Sequence, residues 1–312
     1  MIYSLNSYSN FILWGLIEVN LISFVGLIIK DIKKNMRILI LKYFRFQAVA
    51  SILLLFRICF LFKNFLYTQL RNYFLYISLF SKLGFAPFHI WFVRIITKIN
   101  WFGFIWISFL QKIIPIIILY KNFLFYELFI IVRVLACVIH GILVIKLKKM
   151  LAISSVFSLI WVYSAILREK HLWIFFFLFY NVMKILLIFL LIDNSHKSYK
   201  TTNLSNKFKL NFIIFLILLI LAGIPPRPIF LLKIFTLIAI VKEVGYISSI
   251  FLIISSIIII NMYINSCVYY ITQSLSSRII LEFNKEIKIR LFYYSIALYL
   301  ILLFIYFLII ML

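Results

Sequence analysis

Ionisable side chains lie deep inside apolar stretches of this sequence. Glu18 sits in WGLIEVN, Lys82 in SKLGFAPFHIW, Lys112 in FLQKIIP, Lys184 in FYNVMKILL and Lys233 in AGIPPRPIFLLKIF. A lysine at the centre of a bilayer costs about 2.5–3.5 kcal/mol on insertion scales, so it must face protein or water. The chemistry open to such groups is proton transfer. Glu18 close to Lys82 would act as a switch: paired, the lysine holds its proton; unpaired, it releases it. A row of such sites bridged by water is a proton wire. His89 reads either as a packed core residue or as a relay, since a histidine ordinarily titrates near neutrality. Arg57 and Arg133 also have apolar neighbours and read as snorkelling or structurally paired side chains. Redox chemistry has no candidates: there is no cysteine cluster, no histidine ligand pair and no glycine-rich nucleotide loop. Cys59, Cys137 and Cys267 read as packing residues.

These side chains need helix breaks to hold them. Gly84 and Pro87 closely follow Lys82, and Pro225 and Pro226 shortly precede Lys233. Broken helices at membrane depth release backbone groups and create polar pockets, usually at the ion sites of transporters. The two segments are alike, KLGFAP against LAGIPP, each with a glycine shortly before proline. They fall on apolar spans that cross in opposite directions, the sequence trace of an inverted repeat.

The elements that carry the breaks follow from composition. The 312 residues are 66% hydrophobic and 13% charged, against about 25% charged in a soluble domain, and mean hydropathy is +1.16. A membrane-crossing helix needs about 20 mostly apolar residues. The apolar runs are long and lack strand alternation, which favours helices over a β-barrel. The fold class is therefore all-α, a polytopic transmembrane helical bundle of about ten helices in a single domain over 1–312. The spans fall at 9–29, 39–62, 73–97, 101–120, 123–145, 150–167, 172–192, 210–241, 245–272 and 290–311. The eighth would be about 48 Å long as a straight helix, too long for one crossing. Its prolines predict two half-helices. Net charge is +24, a value that suggests nucleic acid. However, the basic residues lie in short turns, where they suit anionic headgroups and topology control. Odd-numbered loops are richer in Lys and Arg than even ones, which places them on the synthesis side. No secretory or transit pattern marks MIYSLNSYSN, so synthesis inside the organelle that houses the chain is expected.

At these residues the chain resembles the chain 2 family of mitochondrial NADH:ubiquinone oxidoreductase, or respiratory complex I, an antiporter-like membrane subunit. The resemblance rests on WGLIEVN (14–20), LKYFRFQAVAS (41–51), KLGFAPFHIW (82–91), QKIIP (111–115), LKKMLAISS (147–155) and AGIPPRPIFLLK (222–233), in the family's order. KLGFAPFHIW is the most specific, and looser forms occur in sister subunits 4 and 5. The resemblance implies that Glu18 is the membrane glutamate pairing with Lys82. It makes Lys112 the central bridging lysine, Lys233 the terminal lysine on the second broken helix, and His89 a histidine beside the first break. In the family these residues form a hydrated axis, and quinone reduction elsewhere drives protons along it.

The resemblance further implies that this chain binds no cofactor, while NADH, FMN, iron–sulfur clusters and ubiquinone belong to other subunits. Expected partners are other membrane-arm subunits, with subunits 4L and 4 as neighbours, accessory subunits and lipids including cardiolipin, with no nucleic acid. The expected location is the mitochondrial inner membrane. Three departures stand out. Animal members usually have a further helix before the WGLIEVN span, whereas only a short segment precedes it here; ten helices are expected where eleven are usual. Ser158 stands where the family has a histidine, and Ile229 replaces a glycine after the prolines. Lys184 matches no family position. A stand-alone cation/proton antiporter is the rival reading, but it would need several acidic ligands and Glu18 is the one convincing mid-membrane acid. An inert membrane scaffold would leave several buried lysines without a purpose.

Overall fold

The apolar stretches fold as helices in the computed structural model of the chain. It describes residues 10–29, 34–59, 65–122, 130–132, 134–135, 137, 146–166, 172–197, 204–225, 227–243 and 246–276. The elements are α1 (Asn10–Ile29), α2 (Lys34–Cys59), α3 (Phe65–Leu83), the short α4 (Ile90–Ile96) and α5, which runs from Trp101 to Lys121. After these come α6 (Leu147–Ala165), α7 (Leu172–Lys197), α8 (Leu204–Ala222), α9 (Pro228–Glu243) and α10 (Tyr246–Ser276). There is no strand among the described residues. The expected fifth span lies outside the described residues except for 130–132, 134–135 and 137, and the tenth, 290–311, lies wholly outside them.

Among the described residues four helices, Trp101–Lys121, Leu147–Ala165, Leu172–Ile192 and Tyr246–Cys267, are long and apolar enough to cross a membrane by length and composition. Phe11–Gly26, Asn211–Ala222 and Pro228–Ile238 are shorter apolar helices. The eighth expected span is two helices, α8 and α9, split at the prolines. The third is also two, α3 and α4, because the chain turns sharply after Leu83.

That first turn has a local cause. Gly84 takes φ +67°, a left-handed conformation that costs an L-residue about 1–2 kcal/mol but not glycine. The Gly84 amide donates to the Ser81 carbonyl at 3.2 Å, and the Phe85 amide to the Phe80 carbonyl at 2.9 Å. This paired pattern is a Schellman motif, which ends a helix by satisfying its last carbonyls. Pro87 then prevents the helix from resuming. The second break shares the left-handed glycine: Gly223 has φ +71° and its amide donates to the Ile220 carbonyl at 3.0 Å.

At the centre of the bundle is α6. Every residue from Met150 to Ala165 except Ser158 is buried, as expected for a helix that is apolar around its whole circumference. The serines in this buried stretch bond back to their own helix, as Ser154 does to the Leu151 carbonyl at 3.1 Å and Ser155 to Ala152 at 2.6 Å. α4, α7, α9 and α10 pack around it. On one side α1, α2, α3 and α5 form a connected layer, and on the other α7, α8, α9 and α10 do the same. Large apolar side chains on the outer faces, such as Val19, Phe44, Phe175 and Ile257, are exposed, consistent with a hydrocarbon surround. α5 is interrupted by a π-helical stretch, Trp106–Leu110, just before Lys112. Pro115 lies one turn beyond, inside the helix. It supplies no amide for the Gln111 carbonyl, and π turns inside α-helices are frequent at functional sites.

Candidate functional site

Four lysines end up inside the bundle: Lys82, Lys112, Lys184 and Lys233 are 7%, 3%, 2% and 6% exposed. Lys82 occupies the last turn of α3, two residues before Gly84. Its Nζ lies 3.2 Å from Glu18 Oε1 of α1. α1 has apolar residues around its circumference, so Glu18 is held in that layer with its side chain only 23% exposed. Gln47 of α2 donates to the Lys82 carbonyl at 3.4 Å, and the Trp91 indole N–H donates to the Ser81 carbonyl at 3.1 Å. The end of α3 is thereby fixed from two neighbouring helices. A cation in the last turn of a helix also faces the negative end of the helix dipole.

Beside this pair lies a small cleft lined by Asn20, Tyr43, Gln47, Lys82 and Gln111 among others, with a volume of about 20 Å³. That is room for one water molecule among polar groups. Tyr43 donates a hydrogen bond to Gln111 Oε1 across it.

Lys112 extends from α5 toward α4 and α6. Its Nζ stands 4.2 Å from the centroid of the Phe92 ring and 3.5 Å from Ser155 Oγ. Phe92 also bears on the first break, because a Cβ placed on Gly84 would lie 3.0 Å from Phe92 Cβ. The first break and Lys112 therefore share one aromatic wall.

Lys233 reaches back from α9 to the second break. Its Nζ would lie 3.1 Å from a Cβ at Gly223, so the missing side chain is what lets the ammonium approach. The same Nζ stands 5.4 Å from the Trp161 ring of α6. Attraction of a cation to an aromatic face is electrostatic and grows when water is excluded. Here too a lysine lies at the C-terminal end of a half-helix, α8, where carbonyls end without partners in their own helix.

His89 is buried at 2% exposed and precedes α4 directly. It sits between the first break and the helix carrying Phe92. Arg57 donates to Asn122 Oδ1 at 2.7 Å, and Tyr76 bonds the Asn122 carbonyl at 2.6 Å; this is a structural tie between α2, α3 and the end of α5. Arg133 is outside the described residues. Ser158 donates to the Ser155 carbonyl at 3.0 Å and is the one partly exposed residue of that α6 stretch.

The aromatic and hydroxyl lining was not anticipated from sequence. Phe92 beneath Lys112, Trp161 beneath Lys233 and the Tyr180–Tyr263 hydroxyl contact at 3.3 Å come from residues that look like ordinary core. The one available signal was QKIIP itself, where a glutamine adjoins the buried lysine. No group of three or more potential metal-ligating side chains occurs among the described residues. The arrangement gathers groups of the proton-holding kind in one interior: a Glu–Lys pair at one end, a lysine on an aromatic face and a serine in the middle, and a lysine on a broken helix at the other end.

Comparison with known proteins shows the family and the fold. Residues 7–259 match the family model described as NADH:quinone oxidoreductase/Mrp antiporter, transmembrane. The NADH-ubiquinone oxidoreductase chain 2 of Anopheles gambiae is 33% identical over 226 residues, which cover 68% of this chain and 65% of the mosquito protein. The match therefore spans slightly less than two thirds of that relative. The chain 2 protein of Artemia franciscana is 27% identical over 290 residues, covering 92% of this chain and 88% of its own. Among solved structures, a chain of respiratory complex I from Thermus thermophilus with bound aureothin superposes with a TM-score of 0.65. It does so at 16% identity over 80% of this chain and 63% of that one, a likeness of fold.

Proposed function

From the premise that the chain belongs to the NADH:quinone oxidoreductase/Mrp antiporter transmembrane family, we propose that it is the chain 2 membrane-arm subunit of a proton-pumping NADH:ubiquinone oxidoreductase. Its relatives from Anopheles gambiae and Artemia franciscana carry that name. The chain conducts protons and carries no redox centre. NADH, FMN, iron–sulfur clusters and ubiquinone act in other subunits. Subunits 4L and 4, accessory subunits and cardiolipin surround it in the mitochondrial inner membrane.

The observation that carries this reading is the joining of two broken helices by buried lysines. Glu18–Lys82 stands at the first break, Lys112 lies against Phe92 and Ser155 in between, and Lys233 rests on Gly223 at the second. Quinone reduction elsewhere in the complex alters the field at the Glu18 end. When Glu18 releases Lys82, the lysine gives up its proton toward the polar cleft and Lys112. Lys112 passes charge along α6 toward Lys233. Each lysine that empties makes room for charge on its neighbour, because like charges in a buried site disfavour one another. His89, beside the first break, is a relay between α3 and α4.

A stand-alone antiporter is less well supported, because Glu18 is the acid that meets a lysine in this site. The assignment is tested on a native gel of mild-detergent membranes, stained for NADH dehydrogenase activity and read by mass spectrometry. Peptides of this chain in the large active band support it. Peptides at low mass with none in that band would overturn it.

A further inference from the structure

Lys184 is the buried lysine that the order Glu18, Lys82, Lys112, Lys233 leaves unused. It sits mid-helix on α7 at 2% exposed, with its Nζ 4.6 Å from the Tyr180 ring centroid. No carboxylate among the described residues lies within ion-pair distance of it. The Tyr180 hydroxyl donates to the Ser154 carbonyl of α6 at 3.0 Å and stands 3.3 Å from the Tyr263 hydroxyl of α10. Ser154 is the chain neighbour of Ser155, the serine that meets Lys112. Lys112 meets Ser155 directly, and the Tyr180 ring under Lys184 is bonded to Ser154, so the two lysines are tied to adjacent positions of α6 from two helices. α7 also packs against α9, which carries Lys233.

A purely structural lysine would be expected to hold a fixed charge against a carboxylate or in the headgroup region. Lys184 does neither. It adds a second amine to a buried site that already has one, where two like charges disfavour each other. One proton shared between two amines relieves that conflict.

We propose that Lys184 is a further proton-carrying residue, exchanging a proton with Lys112 on the way to Lys233. In the step an N–H bond of the Lys112 ammonium breaks, leaving a neutral amine. The lone pair of the neutral Lys184 amine takes up a proton, directly or by way of a water molecule. One positive charge is present before and after, and no electron moves. The Tyr180 hydroxyl is held by Ser154 and Tyr263, so the aromatic face under Lys184 is fixed in place.

This inference rests on the proton-conduction reading, and the experiment separates the two. Lys184→Met, Lys184→Arg and Lys112→Met are compared in the intact complex reconstituted in vesicles, with assembly followed on native gels. Protons translocated per NADH oxidised is the readout. Lys184→Met and Lys184→Arg are both expected to lose proton translocation, because a guanidinium keeps the charge but does not release its proton. Wild-type pumping by Lys184→Arg would overturn the inference, since a fixed cation would then suffice. So would wild-type pumping by Lys184→Met alongside loss in Lys112→Met. Wild-type pumping by Lys112→Met would overturn the conduction reading and this inference with it. If Lys184→Met fails to assemble, Lys184→Arg alone decides.

Discussion

At the scale of single residues, the pair at the first break makes the sharpest demand. Glu18→Gln keeps size and polarity but removes the charge that faces Lys82 at 3.2 Å. Proton flux through the chain should fall about 100-fold or more, the range a positioned proton-transfer group contributes. NADH-driven quenching of a pH-sensitive dye in sealed vesicles measures this. A native-gel band of normal size would separate it from failed assembly. Trp161 has a double role, as a buried core residue and as the ring under Lys233. Trp161→Ala should destabilise the bundle by about 3–5 kcal/mol, as large aromatic truncations do, and thermal inactivation of NADH:quinone activity reads that loss. Trp161→Phe keeps a ring beneath the lysine and should retain most of the pumping.

At the scale of elements, the two breaks share a glycine with positive φ but guard different things. Alanine at either site meets the left-handed penalty of about 1–2 kcal/mol. At Gly84 the new Cβ would lie 3.0 Å from Phe92 Cβ, which is anchored to its backbone. Gly84→Ala should therefore lower the melting temperature of the assembled complex. At Gly223 the nearest atom is Lys233 Nζ, the tip of a flexible side chain. Gly223→Ala should displace the ammonium and impair pumping more than it impairs stability. A melting curve and a pumping assay on both variants test the contrast.

These breaks were readable in the sequence because glycine and proline act on their own backbone. KLGFAP and LAGIPP each state a local stop. The third span nevertheless reads as one apolar run from 73 to 97, and the separate α4 emerges only once the chain has turned. Glu18 and Lys82 were legible as partners because each needs one. The contacts of Lys112 with Ser155 and of Tyr180 with Tyr263 were not. They join residues 43 and 83 positions apart, and hydroxyls on apolar helices carry no periodic signal of their partners. The π turn before Lys112 was hidden for a similar reason: WISFL is apolar in any helical register.

At the scale of the whole molecule, burial of α6 organises the site. A helix that is apolar all round takes the centre, and its serines and Trp161 provide the meeting points for lysines from helices on both sides. The bundle thereby places four lysine side chains in an interior where isolated charge is costly. Such an arrangement is reasonable if charge moves through it. The most direct test is the number of protons translocated per NADH oxidised by the intact complex carrying Lys112→Met or Lys233→Met. Conduction along the lysine axis predicts that both variants assemble and lose translocation. Wild-type ratios in both variants would contradict it and leave the lysines as structural residues.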